Sequence, residues 1–167
     1  MTEVPLETLF GVLAILILLS AFFSSSETAL MSINRYRLRH RAKEGHKGAL
    51  LAEKLLRRPD RVIGLILLGN NFVNILASSL VTVIALQVGG EGAVAAGAGI
   101  LTLVILIFAE VAPKTFAALR PETLAYPAAF IYVPLLKLTY PIVWLVNLMA
   151  NGLLKLLRIE PKGMGGE

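Results

Sequence analysis

Three apolar runs, each longer than a bilayer requires, constrain this chain more than any other feature. They cover residues 6–33, 62–88 and 93–119. The first contains "FGVLAILILLSAFFSSSETALMS" and the second reads "VIGLILLGNNFVNILASSLVTVIALQV". About 20 helical residues cross the roughly 30 Å hydrocarbon layer. No strand-like alternation interrupts the runs, and isolated strands cannot satisfy their backbone in lipid. The expected fold is therefore an all-α membrane protein with three transmembrane helices. Composition agrees, with 56% hydrophobic and 16% charged residues and a mean hydropathy of +0.75. Soluble domains carry roughly 45–50% apolar and about 25% charged residues.

Charge sets the orientation. Ten of the sixteen Lys and Arg residues lie between Arg35 and Arg61, in the loop joining the first two runs. Basic loops stay in the cytoplasm. The acidic start "MTEVPLE" and the turn "GGEG" at 89–92 are then outside, and the C-terminus is cytoplasmic. The start also lacks the positive n-region of a secretory signal, so the first run is expected to remain a span. A nucleic-acid role for the net charge of +5 is not expected, because no aromatic stacking series accompanies the basic block. With no cysteine, disulfides and thiolate metal sites are excluded.

Two further regions are expected to be helical at the membrane surface. Residues 35–58 place Leu50, Leu51, Leu55 and Leu56 at helical spacing, with Pro59 ending the run. His40 and His46 are six apart, do not share a helix face and are not expected to bind a metal. Residues 126–158 carry Pro127, Pro134 and Pro141 among Tyr126, Tyr132, Tyr140 and Trp144, aromatics suited to the headgroup level. A fourth span there would carry Lys155, Arg158 and Lys162 outside, so interfacial helices are expected instead. Residues 1–158 form the membrane domain in this reading. Residues 159–167 read as a linker to a soluble domain outside this chain.

Polar residues inside the runs are the candidate site. Ser20 and Ser24 are four apart and share one helix face, as do Asn70 and Asn74. Serines and asparagines in membrane helices also serve as interhelical glue. Glu110 carries more weight, since an intramembrane carboxylate is costly and functional by default. Its structural alternative is an ion pair with Lys114, one turn on. Counted from the expected helix ends, Ser24, Asn70 and Glu110 each stand about 12–14 Å deep. Pro113 cannot bond the carbonyl of Ala109, four residues back, and freed carbonyls at depth hold cations in transporters. All these donors are oxygens, which suit Mg2+, Ca2+ or Na+. The small residues of "GGEGAVAAGAG", with Ser78 and Ser79, favour close helix packing within or between subunits.

The stretches "LLSAFFSSSETALMS", "LLGNNFVN" and "FAEVAPKTFA", in this order, resemble the CorC/CNNM (cyclin M) family of magnesium transporters over about residues 8–158. The resemblance implies a homodimer in the bacterial inner membrane, with three membrane helices per subunit. It implies Mg2+ efflux driven by Na+ influx, and no enzyme activity. The family's metal ligands match Ser20, Ser24, Asn70 and Glu110, with Asn74 and Pro113 in supporting positions beside the Ala109 carbonyl. It also implies cytosolic CBS domains, which this chain lacks. Two other readings remain: a membrane anchor whose polar residues only hold a dimer, and a Na+ or proton carrier using Glu110 alone.

Overall fold

The computed structural model describes residues 4–158. The expected linker 159–167 lies outside the described residues. Seven α-helices and one π-helical segment follow in order. Helix α1 is Leu6–Ser32, α2 Arg35–Lys43, α3 Lys47–Leu56 and α4 Pro59–Gly89. Helix α5, Glu91–Val104, runs through the π segment Ile105–Val111 into α6, Ala112–Leu119, and α7 is Pro121–Leu156.

Local chemistry sets the boundaries. Asn34 caps α2, its side-chain oxygen accepting from the Arg37 N–H at 3.1 Å. Gly45, at φ +90°, lets the chain leave α2 in the left-handed region where other residues are strained. His46 then caps α3, with Nδ1 accepting from the Ala49 N–H at 3.0 Å. The basic loop is thus two short helices, not one. Pro59 opens α4 from its first position, where its missing N–H costs nothing. The turn between α4 and α5 is Gly90 alone, at φ +72°.

The sequence reading needs one correction. Four helices, not three, are long and apolar enough to cross a membrane: α1, α4, the continuous α5–α6 stretch, and α7. Residues 126–156 are not separate helices but part of the one 36-residue helix, with Leu157 and Arg158 in the turn beyond it. Its three internal prolines recur every seven residues, close to two turns, so they lie along one face. All three are exposed, opposite a buried stripe of Ala125, Ala128, Ala129 and Tyr132. The helix accommodates each lost hydrogen bond on its outer face, where packing is undisturbed.

By its contacts the chain divides into two compact units. One comprises the chain up to Ser25 with Gly69–Phe116. Its core is Leu16, Val73, Ala77 and Leu101, and small residues bring the helices close. A Cβ on Gly69 would sit 2.6 Å from the Phe23 ring, and one on Gly97 3.0 Å from Val81. Leu18, Ile75 and Ile100 remain largely exposed, as lipid-facing residues do.

The other unit comprises Ser26–Leu68 with the chain from Ala117 on. Here α3 packs on α7. The buried face of α3 is Gly48, Ala49, Ala52, Leu55 and Leu56, and Leu50 is exposed. Small residues win that face because Tyr126 of α7 lies against Gly48. The His46 ring sits 4.9 Å from the Tyr126 ring, and Ser26 hydrogen-bonds Tyr132. Arg37 reaches Glu122 at 3.3 Å and Arg41 at 3.7 Å, fastening α2 to the start of α7.

Candidate functional site

Every candidate side chain with a polar group falls in the first unit, and the structure groups them in two sets one turn apart on α1. Ser20 and Ser24 are each 1% exposed. The Ser20 hydroxyl lies 3.0 Å from Asn70 Oδ1 and 2.8 Å from Asn74 Oδ1. One hydroxyl hydrogen serves only one acceptor. Ser20 therefore donates to one of the two amides and keeps lone pairs for the other, so one hydroxyl and two side-chain amides meet at this turn.

The second set lies one turn along. Ser24 Oγ donates to Glu110 Oε1 at 3.2 Å. The other carboxylate oxygen, Oε2, meets Lys114 Nζ at 3.2 Å. Glu110 thus forms the ion pair weighed as its structural alternative, and it also accepts from a hydroxyl on another helix. The Lys114 ammonium is a tethered cation already beside the carboxylate.

Sequence reasoning placed Ser24, Asn70 and Glu110 at one depth. The structure instead pairs Asn70 with Ser20, and Ser24 with Glu110. The difference arises from the helix ends. Helix α4 starts at Pro59, so Asn70 stands eleven residues in, matching Ser20, twelve residues before the end of α1 at Ser32. Ser24 is eight residues from that end, and Glu110 nine from the end of α6 at Leu119. Asn74, expected only to support, is a direct neighbour of Ser20.

The backbone around Glu110 departs from α-helix. Ile105–Val111 is π-helical, and the Ala112 N–H bonds the Ile107 carbonyl, five residues back. Pro113 can donate to neither Phe108, its partner in that register, nor Ala109, its α-helical partner. Ala109 is buried and Phe108 exposed. Such π segments recur at functional sites because they re-aim one side chain within an otherwise regular helix. Here the re-aimed turn carries the carboxylate. The sequence signalled the proline but not the widened turn above it. Just beyond, Thr115 Oγ1 donates to the Val111 carbonyl at 2.7 Å.

Several other polar groups in the spans bond their own helix. Ser79 donates to the Ile75 carbonyl, Thr102 to Ala98, and Ser25 to Phe22. His40 pairs with Glu44 at 3.0 Å and His46 caps α3, and both belong to the other unit. Among the described residues no three His, Asp or Glu side chains converge. The donor set gathered against α1 is one carboxylate from the π segment, two amides from α4 and the α1 hydroxyls, a hard set suited to hard cations.

The pattern of the cyclin M transmembrane N-terminal domain matches residues 11–166. The chain is 53% identical over 142 residues to the UPF0053 inner membrane protein YfjD of Escherichia coli K12, covering 85% of this chain and 33% of that protein. It is 46% identical over 160 residues to a UPF0053 protein of Haemophilus influenzae, covering 96% and 38%. A chloroplastic DUF21 domain-containing protein of Arabidopsis thaliana is 34% identical over 151 residues, covering 89% and 23%. The chain thus spans between about a quarter and two-fifths of these relatives' lengths. With the family pattern extending over nearly its whole length, this chain belongs to the cyclin M transmembrane N-terminal domain family.

Proposed function

We propose that this chain is the membrane domain of a magnesium transporter that exports Mg2+ in exchange for Na+. The observation that carries the reading is the pair of buried α1 hydroxyls, each bonded to an oxygen on another helix. Ser20 meets amides of α4, and Ser24 meets the Glu110 carboxylate. Two hydroxyls, two side-chain amides and one carboxylate are thereby gathered from three helices within the spans, oxygens of the kind a hard cation takes.

In this mechanism Ser24 and Glu110 replace water around Mg2+ at one turn of α1, and Ser20 and Asn70 at the next, with Asn74 as a further amide oxygen there. Mg2+ demands six close oxygens and dehydrates reluctantly, so it keeps some of its waters. The single carboxylate limits affinity, which suits an ion that must also leave. Lys114 holds Glu110 when no ion is bound and is displaced when one arrives. The break at Pro113 lets the turn carrying Glu110 rearrange without unwinding its neighbours. The same proposal includes a homodimer and a location in the bacterial inner membrane, as one relative's name states for that protein. It puts the N-terminus outside, the basic α2–α3 loop in the cytoplasm, and CBS domains elsewhere in a longer protein.

The test is Mg2+ efflux from liposomes carrying the purified chain. Glu110→Ala and Asn70→Ala abolish Mg2+ transport and leave the folded dimer intact. Ser25→Ala, which removes only a bond to its own backbone, transports normally. Normal efflux from folded Glu110→Ala protein rejects the proposal. If Glu110→Gln alters only oligomerisation, the anchor reading replaces it. If Ser24→Ala and Asn70→Ala are tolerated while Glu110 is essential, a carrier using the carboxylate alone does.

A further inference from the structure

A second polar feature lies in the other unit, where the end of α3, the first turn of α4 and the middle of α7 surround a cavity of about 400 Å3. Leu55, Val133 and Leu136 give it apolar walls, and Lys54, Arg58, Arg61 and Lys137 bring four cations to it. Arg58 is neutralised by Asp60, through Nε–Oδ1 at 3.2 Å and Nη2–Oδ2 at 3.1 Å. The other three meet no carboxylate among the described residues. The Arg61 guanidinium lies 5.0 Å from the centre of the Tyr140 ring and donates to its hydroxyl at 3.4 Å. That contact orients Arg61 but leaves its charge uncompensated.

Three unpaired cations drawn from three helices repel one another unless an anion joins them. The surroundings identify that anion. On either side of Lys137, α7 exposes Ile131, Leu138 and Ile142, and Trp144 follows one turn beyond Tyr140. Tyr and Trp favour the headgroup level of a bilayer. A cationic rim on apolar walls at that level matches a phosphate joined to acyl chains. A free phosphate would use the rim and leave the walls bare. We infer that this cavity binds the phosphate headgroup of an anionic phospholipid, with Lys54, Arg61 and Lys137 around the phosphate and the Leu55, Val133 and Leu136 walls along the first acyl carbons. The lipid ties α3 and α7 to the start of α4. The inference does not depend on which ion the protein carries.

Native mass spectrometry of the whole chain released from nanodiscs of equal phosphatidylglycerol and phosphatidylcholine tests it. Wild-type protein retains phosphatidylglycerol in preference to phosphatidylcholine. Each basic side chain near an anionic surface changes lipid binding by roughly 5-fold. Lys54→Gln/Lys137→Gln therefore lowers the retained ratio by at least about 10-fold. Lys54→Arg/Lys137→Arg, which keeps the charge and guards against a folding artefact, retains the wild-type ratio. Arg35→Gln/Arg39→Gln removes two charges from the same basic loop, away from the cavity, and also retains it. The inference is overturned if the glutamine pair keeps the wild-type ratio, if the arginine pair loses it, or if the Arg35/Arg39 control loses as much. Displacement of the lipid by millimolar inorganic phosphate would overturn the lipid assignment in favour of a soluble phosphate.

Discussion

Replacing Lys114 by Gln separates an ion site from a structural salt bridge. The ammonium lies 3.2 Å from Glu110 Oε2. Two unit charges at that distance attract by about 1 kcal/mol in water and about 5 kcal/mol at an effective dielectric of 20. The Lys114 side chain is 45% exposed and that of Glu110 28%, and the water that must reach Glu110 for an ion to arrive screens the pair toward the lower figure. A cation reaching Glu110 must displace this ammonium and supply that energy. Lys114→Gln removes the competitor, and Mg2+ affinity should rise about 5-fold, the equivalent of roughly 1 kcal/mol. Release should slow correspondingly, so maximal efflux falls while the half-saturating Mg2+ concentration drops. Calorimetric Mg2+ titration and liposome efflux, run on the same preparations with Lys114→Arg as the charge-retaining control, measure both. If Lys114→Gln lowers thermal stability but leaves Mg2+ affinity unchanged, the pair is only a helix brace and the displacement argument fails.

Three further outcomes follow from the geometry. Pro113→Ala restores an N–H and removes an interior-helix penalty of about 3 kcal/mol, so the protein should melt higher while Mg2+ efflux falls, because the turn carrying Glu110 regains α-helical register; higher stability with unchanged efflux would deny the π segment a role. Ser20→Ala deletes the one proton shared with Asn70 and Asn74, costing about 1 kcal/mol of stability, and should weaken Mg2+ binding in calorimetry, whereas Ser79→Ala, which loses only a bond to its own helix, should change neither. Gly48→Ala sets a methyl 2.8 Å from Tyr126 Cβ, an atom fixed to the α7 backbone; the overpacking cost of about 1–3 kcal/mol exceeds the roughly 1 kcal/mol gained in helix propensity, so thermal melting should shift down, while Gly99→Ala, with nothing within 4 Å, should leave it level or slightly raised.

The parts of this molecule legible in its sequence were those governed by side-chain chemistry. Apolar length located α1, α4 and α5–α6, and spacing by four gathered Ser20 with Ser24 and Asn70 with Asn74 on shared faces. Backbone register was not legible. Pro113 announces a missing donor, but whether the helix answers with a kink or with five-residue bonding depends on how Ile105–Val111 packs, and no residue type encodes that. The length of α7 was not legible either, because the charge rule weighed against a fourth span. Its three prolines do not divide it, since at seven-residue spacing all three fall on the exposed side of one helix. Pairing across helices depended on the helix ends. The three-residue shift in the start of α4, from Val62 to Pro59, moves Asn70 about 4.5 Å along its axis, enough to exchange Ser24 for Ser20 as its partner. The carboxylate and the neutral oxygens thus occupy successive turns of α1 rather than one ring. An ion at Glu110 meets charge first, and one at Ser20 meets only dipoles. That inequality suits passage better than retention, since no single position on α1 offers both the carboxylate and the two amides.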